Sequence, residues 1–144
     1  MIRGNKAGFS LMEVMIAVAI IAIMAALLGP NLIKFLGRAK SSSTKSNIAA
    51  LKNGLLDYNA DIGHFPDKTE GGLLALIKRP KGDKFKTKWA GPYIDTESIP
   101  EDGWGQEFIY NRPPVKFKQF KQYELYSAGP NNDPDEVNDL YAGA

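Results

Sequence analysis

Hydrophobic residues are concentrated in one continuous run near the start of the chain. Residues 9–28 read FSLMEVMIAVAIIAIMAALL, and Glu13 is the only charged residue among them. Twenty helical residues at about 1.5 Å rise each span roughly 30 Å, which matches the hydrocarbon thickness of a bilayer. The pattern therefore predicts a transmembrane or assembly helix over residues 9–29.

The helix is expected to continue well beyond this run. Gly29-Pro30 predicts a kink or local break rather than an end, because a helical apolar pattern resumes after it. After a polar stretch, apolar residues recur at steps of three and four, at Ile48, Leu51, Leu55, Tyr58 and Ile62. This stripe predicts that residues 30–62 carry the helix onto a globular domain, with Gly63 as its C-cap.

The length of this helix is itself informative. From residue 9 to residue 62 it would extend about 80 Å. The roughly eighty residues that follow, 63–144, are polar and rich in turns, and they can form only a small core. Such a domain cannot cover the whole helix, so the N-terminal half must contact lipid or other chains. The mismatch predicts assembly.

Residues 63–144 combine one short helical segment with several short strands. A helix is predicted at 71–77 and a charged loop at 82–88, and the last eighteen residues are expected to form a loop. The predicted strands lie at residues 93–94, 107–110 and 122–126. The fold class is therefore α+β, a long N-terminal helix packed on a small antiparallel sheet.

Charge and cysteine content exclude some classes of function. The net charge is +2, and without Arg3 and Lys6, which precede the apolar run, 16 of the 18 basic residues remain against 16 acidic ones. A neutral chain argues against nucleic acid as the main partner. There is no cysteine, so neither a disulfide framework nor thiol chemistry is available. Basic residues flank both ends of the span, so charge alone does not orient it.

The segment before the apolar run carries a recognisable motif. Residues 6–14, KAGFSLMEV, resemble the prepilin cleavage motif of type IV pilins and type II secretion pseudopilins. A secretory signal would place its cleavage site after the apolar run, whereas this basic segment ends in Gly8, before it. The resemblance implies that a prepilin peptidase removes residues 1–8 by cutting between Gly8 and Phe9. It also implies that the new Phe9 amine is methylated.

Glu13 is the residue of the span that most needs an explanation. A carboxylate at the centre of a membrane costs about 2.5–3.5 kcal/mol or more, and such residues usually mark function. The resemblance implies that Glu13 pairs with the Phe9 amine of a neighbouring subunit, so that assembly would depend on cleavage. The alternative is that Glu13, about 6 Å from Phe9 along the helix, simply lies at headgroup level.

Further motifs extend the resemblance over nearly the whole chain. They are YNADIGHFP at 58–66, EGGLLAL at 70–76, GPYI at 91–94, PEDGWGQ at 100–106 and YELYSAG at 123–129. Together they resemble the major pseudopilin of type II secretion systems, although Gly103 stands where that family commonly has proline. The resemblance implies a pilin-like fold and a structural, non-enzymatic function. Subunits would polymerise into a short periplasmic pseudopilus that drives the export of folded proteins across the outer membrane.

The same resemblance implies a location and a set of partners. The chain would be a single-pass protein of the bacterial inner membrane with its C-terminal domain in the periplasm. Its partners would be other copies of itself in a homopolymer, minor pseudopilins, the prepilin peptidase and the inner-membrane secretion platform, with no nucleic acid.

The loop at 129–139 concentrates oxygen-bearing side chains that suit a hard cation, although the composition is also that of a solvated turn. It is not an EF-hand, because the glycine and the final glutamate of that motif are missing. The resemblance implies a structural Ca²⁺ site here. The predicted ligands are Leu125, Asn131, Asp133, Asp135 and Asp139.

Other readings of the sequence remain open at this point. A type IV or competence pilin is the nearest alternative, and a signal-anchored periplasmic enzyme is a more distant one for which no paired catalytic residues are visible. The basic-aromatic runs at 84–89 and 116–121 could bind single-stranded nucleic acid, but alternating lysines more often protect a strand edge. His64 has no partner motif nearby and is expected to be structural.

Overall fold

One helix, α1 (Leu11–Ile62), forms the N-terminal part of the computed structural model, which describes residues 8–131 and 140–144. The predicted helix over residues 9–62 is thus confirmed except for its first two residues. α1 continues through Gly29 and Pro30, so the helix is not broken there, since a proline removes only one helical hydrogen bond and the turns on both sides remain. The kink predicted as the alternative stays a prediction. At the C-terminus Gly63 has a φ of +94° and its N–H donates to the Asn59 carbonyl at 2.8 Å, as expected of a C-cap.

The chain divides between Arg38 and Ala39 into two units. In the second unit, one stripe of α1 forms a large part of the core. The predicted stripe residues are each at most 7% exposed, namely Ile48, Leu51, Leu55, Tyr58 and Ile62. They pack in one cluster with the buried side chains of Phe65, Leu76, Phe85, Tyr123 and Leu125. The periodic pattern therefore identified the packed face of the helix correctly.

A three-stranded antiparallel sheet lies at the C-terminal end of the second unit. Its strands are β1 (Ile109–Asn111), β2 (Glu124–Tyr126) and β3 (Tyr141–Gly143), in the order β1-β2-β3. In the central strand Leu125 is in register with Tyr110 on one side and Ala142 on the other. The strands predicted at 107–110 and 122–126 are confirmed with different bounds, because both begin two residues later and β1 ends one residue later.

Several local predictions for the second unit are wrong. Residues 93–94 form no strand, because the Tyr93 N–H is taken up by the carbonyl of Leu76 at 2.7 Å and its hydroxyl donates to Asp61 at 2.9 Å. The last eighteen residues do not form only a loop, since β3 lies among them. By contrast, the short helix predicted at 71–77 is confirmed as a 3-10 helix at Gly72–Leu76, and a further 3-10 turn at Lys68–Glu70 precedes it.

The two basic-aromatic runs are not strand edges. Residues 82–88, predicted as a loop, contain the short helix α2 (Asp83–Lys88), which buries Phe85 in the core and leaves its lysines in solvent. The second run lies in the connection between β1 and β2, where the Phe117 ring stacks on Tyr141 with centroids 4.9 Å apart. In both runs the packing of an aromatic side chain, Phe85 or Phe117, sets the local backbone conformation. The positions of the lysines follow from that conformation.

A backbone contact fixes the start of α1 within the second unit. The N–H of Gly103 donates to the buried Thr44 hydroxyl at 2.8 Å, and that hydroxyl donates to the Lys40 carbonyl at 2.9 Å. A Cβ at residue 103 would collide with the backbone of Lys40. Proline could not occupy this position, because it lacks both the space and the N–H. This contact is a physical reason for glycine at residue 103, where the family that the sequence resembles commonly has proline.

Candidate functional site

The predicted cleavage junction lies just before α1, in non-helical backbone. The Phe9 side chain is 83% exposed, and no atom lies within 4 Å of the place where a Cβ on Gly8 would stand. Ser10 begins the helix, because its hydroxyl and its carbonyl both accept from the N–H of Glu13, at 3.2 and 3.1 Å. The cap thus starts the helix after the Gly8–Phe9 bond and leaves that bond accessible.

Glu13 lies in the first turn of α1, where a negative charge complements the positive end of the helix dipole. Its exposed side chain shares a shallow depression of about 300 Å³ with Phe9, Val14, Ala17 and Val18. Among residues 8–131 and 140–144, no ion pair or side-chain hydrogen bond engages the Glu13 carboxylate. Phe9 and Glu13 are therefore brought to one surface, and the carboxylate has no partner within the described chain.

The apolar segment that follows is fully uncovered. Leu11–Gly29 has a mean hydropathy of 2.7 and none of it is buried, and it is the one helix in the described residues that is long and apolar enough to cross a membrane. Its large hydrophobic side chains are about half to four-fifths exposed. A continuous apolar surface of this size marks contact with lipid or with other proteins.

The predicted calcium ligands are only partly within the described residues. Leu125 is buried in the central strand, and Asn131 lies exposed at the end of the turn that follows Ser127 and Ala128. Asp133, Asp135 and Asp139 lie outside the described residues. Within the described part of the chain, no group of three or more acidic, histidine or cysteine side chains could hold a metal ion. The site therefore depends on the three aspartates and stays a prediction.

A buried carboxylate orders the chain just before that loop. The Asp102 side chain is 6% exposed and accepts from the Ser127 hydroxyl at 2.5 Å. It also accepts from the N–H groups of Trp104 and Gln106, both at 2.9 Å. The Ser127 oxygen in turn accepts from the Gly129 N–H at 3.0 Å. Asp102 thereby fixes residues 127–129, from which the predicted metal loop starts.

A second buried carboxylate, Glu124, holds the connection between β1 and β2. Its Oε1 accepts from the Asn111 amide at 2.8 Å, and its Oε2 accepts from the N–H groups of Lys116 and Phe117 at 2.9 and 2.7 Å. Burial alone would raise the pKa of Glu124, but these donors outweigh it and hold the pKa below its ordinary value. The charged form is thus stabilised in the fold.

A third carboxylate, Glu70, accounts for the single histidine. Glu70 accepts from His64 at 2.8 Å, from Lys84 at 3.0 Å and from the Tyr58 hydroxyl at 3.2 Å. Burial raises the pKa of Glu70, yet the hydrogen bonds from His64 and Lys84 bring the pKa below its usual range. This network joins α1, the turn after it and α2, which is the structural role expected of His64.

Sequence reasoning missed all three carboxylates. Asp102 could have been found from its local sequence. An aspartate at the start of a turn commonly accepts a hydrogen bond from the backbone N–H two residues on, and Asp102-Gly103-Trp104-Gly105 has the composition of such a turn. Glu124 carries no such signal, since its partners are 7 to 13 residues distant. An acidic residue in a strand is read as solvent-facing, and only the folded loop makes it a buried acceptor.

Comparison with known proteins gives consistent matches. A family model described as type II secretion system, protein G, matches residues 31–140, and the prokaryotic N-terminal methylation motif matches residues 3–29. The type II secretion system core protein G of Klebsiella pneumoniae is 31% identical over 137 residues, covering 94% of this chain and 93% of that protein. Its counterpart from Pseudomonas aeruginosa is 34% identical over 128 residues, covering 88% and 85%.

A solved structure agrees with these relatives. The crystal structure of the major pseudopilin from the type 2 secretion system of enterohaemorrhagic Escherichia coli superposes with a TM-score of 0.56 at 25% sequence identity. The match covers 78% of this chain and 92% of that one.

Proposed function

This chain belongs to the protein G family of type II secretion systems, and on that premise we propose that its exposed N-terminal helix both anchors it and polymerises it. The family is one of structural pseudopilins, not of enzymes, and the chain is a structural subunit of the pseudopilus. The secretion-system match over residues 31–140 also distinguishes it from type IV and competence pilins.

One observation carries the proposal, namely that Leu11–Gly29 has no buried residue. In the membrane this surface is covered by lipid, and in the filament it is covered by the same segment of neighbouring copies. We place the anchor in the inner membrane and the second unit in the periplasm. There the growing filament meets minor pseudopilins and the secretion platform, and its growth pushes folded proteins through the outer membrane.

Entry into the filament begins with processing at Gly8. A prepilin peptidase cuts the exposed Gly8–Phe9 bond, and the Phe9 amine is then methylated. Replacing glycine by a bulky residue obstructs the extended backbone that a protease cleft requires. In cells that contain the peptidase, Gly8→Leu is expected to accumulate as full-length precursor, whereas mass spectrometry of the wild type should show a methylated N-terminus at Phe9. An uncut wild-type chain in such cells would refute this step.

Glu13 supplies the register of the polymer. The amine of Phe9 exists only after cleavage, and pairing with Glu13 of a neighbour neutralises a carboxylate that would otherwise stay unpaired in an apolar bundle. Glu13→Gln keeps the size and removes the charge, so it should be cleaved and inserted normally but assemble few filaments. Glu97→Gln, which removes an exposed carboxylate from the second unit, is the control and should assemble. Filaments of normal number and length from Glu13→Gln would contradict the pairing.

We also propose that Asp133, Asp135 and Asp139, with Asn131 and the Leu125 carbonyl, hold a structural Ca²⁺. Hard oxygen donors suit this ion, and bound calcium would neutralise carboxylates that repel one another. A ligand that binds only the folded state stabilises it by about 2.7 kcal/mol at a hundredfold excess over Kd. The chain in mild detergent should melt several degrees higher in millimolar calcium than in chelator, and Asp139→Asn should abolish that difference. Identical melting of the wild type in both conditions would exclude the site.

A further inference from the structure

Two basic residues follow the apolar span at helical spacing. Lys34 and Arg38 are both exposed and lie four residues apart, so they occupy one face of α1. Gly29 ends the span, and at 1.5 Å per residue the two Cα atoms lie about 8 and 14 Å beyond it. The headgroup layer is roughly 5–8 Å thick on each side of the hydrocarbon, and long basic side chains extend back toward it. Both charges can therefore reach the level of the lipid phosphates.

The opposite face of the same segment is apolar. Leu32 and Leu36 are 57% and 50% exposed. Leu32 and Leu36 each lie two residues from Lys34, and Leu36 also lies two residues from Arg38. At 100° per residue, two residues correspond to a rotation of about 200° around the helix axis. A helix segment with a basic face and an apolar face, next to a span, has the chemistry of the membrane interface.

The proposed polymer does not account for these charges, and neither does the fold. Among residues 8–131 and 140–144, no ion pair or hydrogen bond involves the side chain of Lys34 or Arg38. They also stand on the side of the span opposite to Arg3 and Lys6, so they do not serve as a simple orienting signal. Two unpaired cations at phosphate depth are complementary to an anionic lipid surface.

We propose that Lys34 and Arg38 bind the headgroup phosphates of anionic phospholipids where α1 leaves the bilayer. The inference rests on the membrane anchoring proposed above. It adds a lipid-dependent tether to that anchor, which the subunit must release when it leaves the membrane for the filament. Each basic residue near an anionic surface strengthens the contact by about fivefold, and the effect is screened by salt.

The test uses a fluorescent probe beside the pair. The chain has no cysteine, and a Cβ at Gly37 meets open space, so Gly37→Cys gives one labelling position on the helix between the two charges. The full-length labelled chain is reconstituted in phosphatidylcholine vesicles with increasing phosphatidylglycerol. We expect a blue shift of an environment-sensitive probe that saturates with phosphatidylglycerol and is reversed by 0.5 M salt. In the Lys34→Gln/Arg38→Gln background, half-saturation should need at least about fivefold more phosphatidylglycerol.

A matched control separates this pair from net charge. Lys78 and Arg79 are also an exposed lysine and arginine, but they lie in the second unit. Lys78→Gln/Arg79→Gln removes the same charge and should leave the titration unchanged, and Arg3 and Lys6 are present in every variant. An unchanged titration in the Lys34/Arg38 variant, or an equal loss in the control, overturns the proposal.

Other sources of the signal give distinct results. A shift produced by inorganic phosphate in phosphatidylcholine vesicles would indicate a phosphate site instead of a lipid contact. A shift that follows protein density and not lipid charge would indicate an acidic face of a second copy. Either result overturns the lipid proposal. Flotation of the vesicles is measured separately, and a chain that does not float with them refutes the anchoring itself.

Discussion

The two halves of α1 contain similar apolar residues, but these are exposed in the N-terminal half and buried along one stripe of the C-terminal half. Leu28 is 58% exposed, whereas Leu55, in the same helix, is completely buried. The N-terminal segment is apolar on all sides, so no single domain face could cover it. The C-terminal segment is apolar along one stripe, which a small domain covers fully. The difference shows that one half of the helix is packed within the fold and that the other is left uncovered, which is the half to which we assign assembly.

The largest expected effect on stability is the difference between replacing Leu55 and replacing Leu28. Leu55→Ala leaves a cavity in the core and is expected to lower the free energy of unfolding of the second unit by about 2–5 kcal/mol. Leu28→Ala removes the same atoms from an uncovered surface and should change it by less than about 0.5 kcal/mol. Urea unfolding of the full-length chain in mild detergent, followed by Trp89 and Trp104 fluorescence, measures both. Similar losses of unfolding free energy in Leu55→Ala and Leu28→Ala would contradict the distinction between a packed and an uncovered half of α1.

A second comparison sets the buried carboxylate of Glu124 against the exposed carboxylate of Glu13. Glu124→Gln removes the charge from an acceptor of backbone N–H groups, and it should cost about 1.5–3 kcal/mol of stability. Glu13→Gln should leave unfolding unchanged, since the Glu13 carboxylate is exposed and has no partner within the described residues. Because the folded state lowers the pKa of Glu124, its contribution is present above the ordinary value of 4.5 and is lost as the pH falls through the lower folded value. The stability difference between wild type and Glu124→Gln should therefore shrink below about pH 4.5, and a constant difference would contradict it.

The smallest effect concerns two glycines of α1. At Gly54 a Cβ would lie 2.8 Å from Ile94 Cγ2 and 3.2 Å from the Tyr93 carbonyl oxygen, whereas at Gly37 it meets nothing within 4 Å. Overpacking costs about 1–3 kcal/mol, and the better helix propensity of alanine returns about 0.5–1 kcal/mol. Gly54→Ala should therefore destabilise the second unit by up to about 2.5 kcal/mol. Gly37→Ala should not destabilise it, and the same urea titration decides between these outcomes.

Local patterns in the sequence predicted the features that are local in the structure. The helix, its stripe and its cap depend on residues three or four positions apart, and all were predicted. Strand β3 was missed because only its pairing with β2, through Ala142 and Leu125, makes it a strand. Helix α2 was missed for a similar reason, since the burial of Phe85 among distant residues decides its conformation.

The candidate site divides in the same way. Gly8, Phe9 and Glu13 lie within six residues, so their motif could be read directly and the structure places Phe9 and Glu13 on one surface. The predicted metal ligands are Leu125 of strand β2 and four residues between 131 and 139, and three of these, Asp133, Asp135 and Asp139, lie outside the described residues. The turn that Asp102 begins could be read from its local sequence, but its hydrogen bond with Ser127, 25 residues away, could not.

The way in which Glu124 holds the β1–β2 connection leaves that connection open to change. The carboxylate binds the N–H groups of residues 116 and 117, which every amino acid except proline possesses. Substitutions at the exposed Val115, Lys118, Gln119 and Lys121 can therefore alter the charge and shape of the outer surface, while Glu124 and the packed Phe117 ring keep the backbone path. The exposed positions of the β1–β2 connection are thus a place where new binding specificity could evolve, much as recognition loops vary on an antibody framework.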